Sequence, residues 1–121
     1  MNFLLRHASA VESHAWPGDD RLRPLNGTGR HRAEEIARVL GARDVCRVVS
    51  SPYTRCVQTV EPLAAALGLP VEIDDGLAEG AGLAAQALLE ADGVVACTHG
   101  DVIHDLTGRG ASQGEIVELA R

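Results

Sequence analysis

Residues 2–7 read Asn2-Phe3-Leu4-Leu5-Arg6-His7, three apolar side chains in a row followed by an arginine and a histidine. An unbroken apolar run of this length, without polar alternation, is the pattern of a strand buried on both faces. Strands of that kind belong to parallel sheets covered by helices. The first expected element is therefore a strand over residues 2–6 that delivers His7 at its carboxyl end.

Working outward from that strand, the same signature returns along the chain. Residues 46–50, 70–74 and 93–98 predict three further strands, and helical patterns lie between them. Asn26 or Thr28 can cap a helix running to Leu40, in which Ala33, Ile36, Ala37 and Leu40 recur at three- and four-residue spacing and Gly41 marks the stop. Ser51-Pro52 opens a helix over residues 53–67 that Gly68 closes. A helix is expected over residues 83–91, and a short one after His99-Gly100 as far as Leu106. Residues 114–120 alternate polar and apolar, as a half-exposed edge strand would. Residues 8–25 form a loop, because Pro17-Gly18, Asp19-Asp20 and Pro24 interrupt any regular element. This alternation predicts an α/β fold: a three-layer α/β/α sandwich with a mostly parallel central sheet and a C-terminal edge strand. The length of 121 residues fits a single domain over 1–121.

Composition narrows the class of function. The chain is 45% apolar, but Phe3, Trp16 and Tyr53 are its only aromatic residues, so the core must be aliphatic. A net charge of -6 argues against a binder of nucleic acid or of an anionic membrane surface. All eleven basic residues are arginine, which supplies forked donors suited to phosphate. Three widely spaced cysteines, Cys46, Cys56 and Cys97, read as reduced thiols of a cytoplasmic protein, with no disulfide framework or zinc site. No apolar stretch approaches the ~18 residues of a membrane span, and the N-terminal run is too short for a signal peptide. A monomer is expected.

In open parallel sheets, ligands bind beyond the carboxyl ends of the strands. The first strand ends there in Arg6-His7, and the second leads through Ser50-Ser51-Pro52 to Arg55. The third leads to Glu79 and the fourth ends in Thr98-His99-Gly100. Arg6 and Arg55 can grip a phosphate from two directions, aided by the helix start near Pro52. One imidazole can attack phosphorus while the other stabilises the transition-state charge, and a carboxyl group can protonate the leaving oxygen.

Each residue alone supports a blander reading. Composition predicts about 0.45 Arg-His dipeptides by chance, and a second copy, Arg30-His31, lies on the polar face of the first helix. A single strand-terminal histidine is more often structural than catalytic; two at parallel strand ends reverse that balance. Arg55 by itself could pair with Glu61 or another carboxylate on the surface. A loop glutamate such as Glu79 is usually solvated, and His14 and His104 read as peripheral.

Taken in order, these residues resemble the histidine phosphatases, the phosphoglycerate-mutase-like superfamily. Leu4-Leu5-Arg6-His7-Ala8 resembles the family's Arg-His-Gly motif, with Ala8 in place of glycine. Arg23-Pro24-Leu25 followed by Gly29 and Ala33 is similar to its Pro-Leu-Thr…Gly…Gln-Ala segment. Ser50-Ser51-Pro52-Tyr53-Thr54-Arg55-Cys56-Val57-Gln58-Thr59 resembles Ser-Ser-Pro…Arg…Gln-Thr. Leu77-Ala78-Glu79 is similar to the Leu-x-Glu that carries the acid, and Thr98-His99-Gly100 to the Ser/Thr-His-Gly at the second histidine. The small size and the Gly18-Asp19-Asp20…Arg23-Pro24-Leu25 stretch look most like the SixA-type group, which includes phosphohistidine phosphatases and domains fused to Nudix hydrolases.

The resemblance implies that His7 accepts the phosphoryl group, that Arg6, Arg55 and His99 build the phosphate pocket, that Glu79 is the acid, and that Arg23 reaches the rim. It implies a metal-independent phosphatase without cofactor, acting on a phosphohistidine protein or a small phosphomonoester. The short segment after His99 implies an open, shallow site. Ala8 raises the question of backbone approach to phosphate, since glycine adopts conformations alanine does not. Two alternatives stay open: a non-catalytic phosphate-binding module, and a phosphatase partner domain of a Nudix-type nucleotide hydrolase.

Overall fold

The computed structural model describes residues 1–120; the last residue of the expected domain lies outside them. Five strands are present: β1 (Asn2–Arg6), β2 (Arg47–Ser50), β3 (Val71–Ile73), β4 (Val94–Thr98) and β5 (Ile116–Leu119). Three α-helices accompany them: α1 (Gly27–Leu40), α2 (Thr54–Leu67) and α3 (Gly100–Thr107). The strands form one sheet in the order β3-β2-β4-β1-β5. β1 to β4 run parallel to their neighbours, and β5 is antiparallel to β1 at the edge. The fold is thus the expected α/β class, with the predicted edge strand.

The absence of alternation in β1 is explained by what covers it. Phe3 and Leu5 face a core shared with Ile36 and Leu40 of α1 and with Val60 and Leu63 of α2. Leu4 faces the opposite side, against Ile103 of α3, Leu77 and Val117. Each fully buried leucine or isoleucine in these layers contributes about 1.5–3 kcal/mol of apolar transfer. Among the described residues, no helix is long and apolar enough to cross a membrane.

The Asn26 side chain caps α1 by accepting from the amide of Gly29 at 2.8 Å. The same side chain donates to Ser9 Oγ and the Ala10 carbonyl, which ties the helix start to the segment after His7. Gly29 is required here: a Cβ would lie 1.9 Å from the Ser9 carbonyl oxygen. α2 ends in the expected way, at Gly68 with φ +67°.

The helix expected over residues 83–91 is not formed. That region holds turns and a single 3-10 segment, Gln86–Glu90. Asn2, which is 1% exposed, donates to the carbonyls of Leu89 and Ala91 and accepts from the amide of Val94. Those carbonyls are held by a side chain of β1, and Leu88 and Leu89 still reach the core. A tertiary hydrogen-bond network overrides local propensity.

Candidate active site

Strand order decides which residues meet. β4 lies between β1 and β2, with Arg6 opposite Thr98 and Ser50 opposite Cys97. His7 and His99 therefore leave adjacent strands at one level, and their rings come to 5.5 Å between centroids. Ser51, leaving β2, places its Oγ 2.9 Å from His99 Nε2. Tyr53 packs edge-on to the His99 ring at 4.6 Å, and the Arg55 guanidinium lies over the Tyr53 ring at 4.8 Å.

His7 is buried, with 6% of its surface exposed. Its Nδ1 is 2.9 Å from the Ala8 carbonyl, which can only accept, so Nδ1 carries the proton and Nε2 keeps its lone pair. Burial, and then the positive fields of Arg55, His99 and Arg6, push the His7 pKa down to about 4, against the pull of the Ala8 carbonyl. At physiological pH this favours the neutral imidazole, with its lone pair on Nε2.

The two arginines are held in complementary ways. Arg6 donates from NH1 to the Ala111 carbonyl at 2.7 Å, and its guanidinium lies against Gly100, where a Cβ would come to 3.3 Å. Arg55, 2% exposed, donates from NH1 to the Asp20 carbonyl at 2.9 Å. Its NH2 is shared by Asp20 Oδ2 and Glu79 Oε2, each at 3.2 Å. The Nε atoms of both Arg6 and Arg55 are buried without a protein partner. A buried cationic donor without a partner is costly.

All five predicted catalytic positions therefore gather at this sheet edge. Arg55 is not a surface residue paired with Glu61; its partners are Asp20 and Glu79. Arg23 directs its fork to Asp20 Oδ1 at 2.8 Å and to the Val11 carbonyl at 2.7 Å, and so joins the site through Asp20. Arg30, His31, His14 and His104 are exposed, and the three cysteines are free thiols. His7, His99 and Arg55 are buried, while the Asp20 and Glu79 side chains that meet Arg55 are each half exposed. A groove lined by Arg30, Ala33, Glu34, Gln58, Glu61 and Pro62 runs between α1 and α2, apart from this chemistry.

Ala8 is accommodated without strain, since no described non-glycine residue has a positive φ. Its amide donates to Thr59 Oγ1 at 3.0 Å, and its methyl packs with Leu25 and Ala33. Thr59 in turn donates to the Arg55 carbonyl at 2.7 Å. Gln58 accepts from the amide of Leu25 at 2.8 Å. The Gln58-Thr59 pair is thus a brace between α2 and the segments flanking His7. Sequence reasoning did not assign chemical parts to Asp20, Ser51 or Thr59; their signal was their place within the quoted motifs.

Comparison with known proteins bears on the family and the fold. The Histidine phosphatase superfamily (branch 1) matches residues 3–90. An 8-oxo-(d)GTP phosphatase of Mycolicibacterium smegmatis is 35% identical over 112 residues, covering 85% of this chain and 35% of that protein. An uncharacterized protein of Mycobacterium tuberculosis is 40% identical over 57 residues, with 28% of its length covered. The chain thus spans about a third of the length of the curated relatives it matches. A structure of the protein histidine phosphatase SixA complexed with tungstate superposes with TM-score 0.76 at 25% identity, covering 95% of this chain and 84% of that one. Mycobacterial glucosyl-3-phosphoglycerate phosphatase shares the fold, with TM-score 0.77, 20% identity, and coverage of 94% and 86%. A match across most of the chain, on a sheet that brings its Arg-His and Thr-His-Gly motifs side by side, places this chain in the histidine phosphatase superfamily, branch 1.

Proposed function

We propose that this chain is a single phosphatase domain that hydrolyses phosphate monoesters or phosphohistidine through a phosphoryl group carried on His7 Nε2. The observation that carries this reading is a buried, neutral His7 set beside His99 and within the positive fields of Arg55 and Arg6. The lone pair attacks phosphorus, Arg6 and Arg55 hold the equatorial oxygens, and His99, oriented by Ser51, stabilises the charge that spreads over them. Glu79 supplies a proton to the leaving oxygen. Water then releases phosphate from His7. These charges are carried by arginine and histidine, so the mechanism calls for no metal.

His7→Ala should reduce turnover of p-nitrophenyl phosphate to background, and the wild type should form an acid-labile, base-stable phosphoryl adduct. Retained turnover in the variant overturns the reading. A phosphate-binding module without catalysis would instead bind phosphate and form no adduct. For the substrate, the similarity to SixA supports a phosphohistidine protein. The relative named 8-oxo-(d)GTP phosphatase supports a second reading, a module acting beside a nucleotide hydrolase. Relative kcat/KM on phosphohistidine, nucleotide and sugar phosphates decides between them.

A further inference from the structure

Glu79 faces two demands that conflict in the free protein. A group that gives a proton to a leaving oxygen must be neutral. Its contact with Arg55, Oε2 to NH2 at 3.2 Å, is that of a carboxylate. Asp20 grips the same nitrogen at the same distance from the opposite loop. A buried guanidinium, 3% exposed, thus lies under two half-exposed carboxylates.

The two carboxylates are not equivalent. Asp20 has a second cation, Arg23 Nε at 2.8 Å from Oδ1, and its main-chain oxygen accepts from Arg55 NH1. It begins a 3-10 turn capped by Asp19, which accepts from the amide of Arg21 at 2.9 Å, and Trp16 Nε1 donates to the Asp19 carbonyl. The hydrogen bond from Arg23, and then the field of Arg55, hold the Asp20 carboxyl below the usual carboxylate range. The Glu79 loop is anchored through its backbone, the Gly80 amide donating to Asp101 Oδ2 at 2.7 Å. That anchor leaves the Glu79 side chain free to change partners.

We propose that Asp20 and Glu79 form a clasp on Arg55 which an incoming phosphoryl dianion opens on the Glu79 side, so that substrate binding loads Glu79 with the proton it later gives to the leaving oxygen. This rests on the phosphatase reading and deepens it. Three anionic groups around one guanidinium repel, and Asp20 is fixed as a carboxylate by Arg23. The repulsion is relieved when Glu79 takes a proton from the acid form of the buffer in the surrounding solvent. As the His7 Nε2–P bond forms, the P–O bond to the leaving group breaks with its electron pair on oxygen, which receives the Glu79 proton. Glu79, again a carboxylate, can accept a proton from the water that attacks phosphohistidine. The charged and titratable groups around the clasp are Arg6 and His7 at the end of β1, Asp20 and Arg23 in the following loop, Tyr53 before α2 and Arg55 on it, and His99 and Asp101 at the start of α3.

The test is calorimetric titration of the whole chain with sulfate near pH 6, in two buffers of different ionisation enthalpy, because sulfate remains a dianion and involves no turnover. The wild type should take up roughly half to one proton per anion. Glu79→Gln should bind sulfate with that uptake lost. Asp20→Asn, which removes the competing carboxylate, should bind with the uptake at least halved. Binding without proton uptake in the wild type, uptake persisting in Glu79→Gln, or unchanged uptake in Asp20→Asn each overturns the clasp. Failure of the wild type to bind sulfate at all overturns the phosphate site itself.

Discussion

Acidification from pH 7 to pH 4 should destabilise this protein through His7 by an amount that the site geometry sets. In the unfolded chain the imidazole titrates at 6.5; in the folded protein, burial and then the charges of Arg55, His99 and Arg6 bring it to about 4. Between those values the unfolded chain binds a proton that folded His7 refuses, so stability falls as pH falls. The stability is fully present above pH 6.5 and is lost as the pH drops to the folded value of about 4. A gap of this size corresponds to about 3 kcal/mol, a large share of the roughly 5–15 kcal/mol that keeps a domain folded. The assay is urea unfolding of the wild type and His7→Gln at several pH values from 7 to 4. Acidic groups common to both proteins cancel in the difference, and packing changes enter as a constant offset. The stability difference should move by about 3 kcal/mol in favour of the variant across that window. A difference independent of pH would refute the reasoning, because His7 would then titrate in the native state as it does unfolded.

Three further outcomes test the supports of the site. Gly29→Ala places a Cβ 1.9 Å from the Ser9 carbonyl and should cost about 2 kcal/mol or more in chemical denaturation, overriding the usual helical gain. Gly27→Ala, where a Cβ meets nothing within 4 Å, should be neutral or stabilising by up to about 1 kcal/mol. Thr59→Val strands the buried Ala8 amide and should cost about 1–3 kcal/mol while lowering kcat, with Thr59→Ser restoring both; equal kcat in all three proteins would show that the brace does not reach His7.

Much of the fold was legible in β1 alone. A buried strand must be apolar on both faces when helices cover both sides, and this written constraint recurs in β2 and β4. Capping was equally local: Asn26 at the start of α1 and Gly68 at the end of α2 act within a few residues of their own positions. The 83–91 helix failed because its carbonyls are claimed by Asn2, a partner more than eighty residues away that no local window contains.

The site shows the same division. That His7, Arg6, Arg55, His99 and Glu79 gather at one sheet edge was legible because periodicity sets the strand ends and the parallel order brings them and the segments that follow together. That the Arg-His pair at residues 6–7 differs from the pair at 30–31 is already implied by the buried strand before one and the polar helix face around the other. Only the tertiary structure could decide the protonation of His7 and the clasp of Asp20 and Glu79 on Arg55. Those properties depend on burial and on charges contributed by segments far apart in the chain, and electrostatic energy is a function of distance in space. Residue types by themselves determined which groups would be present at the sheet edge; the fold determined which of them is neutral and which charges surround it.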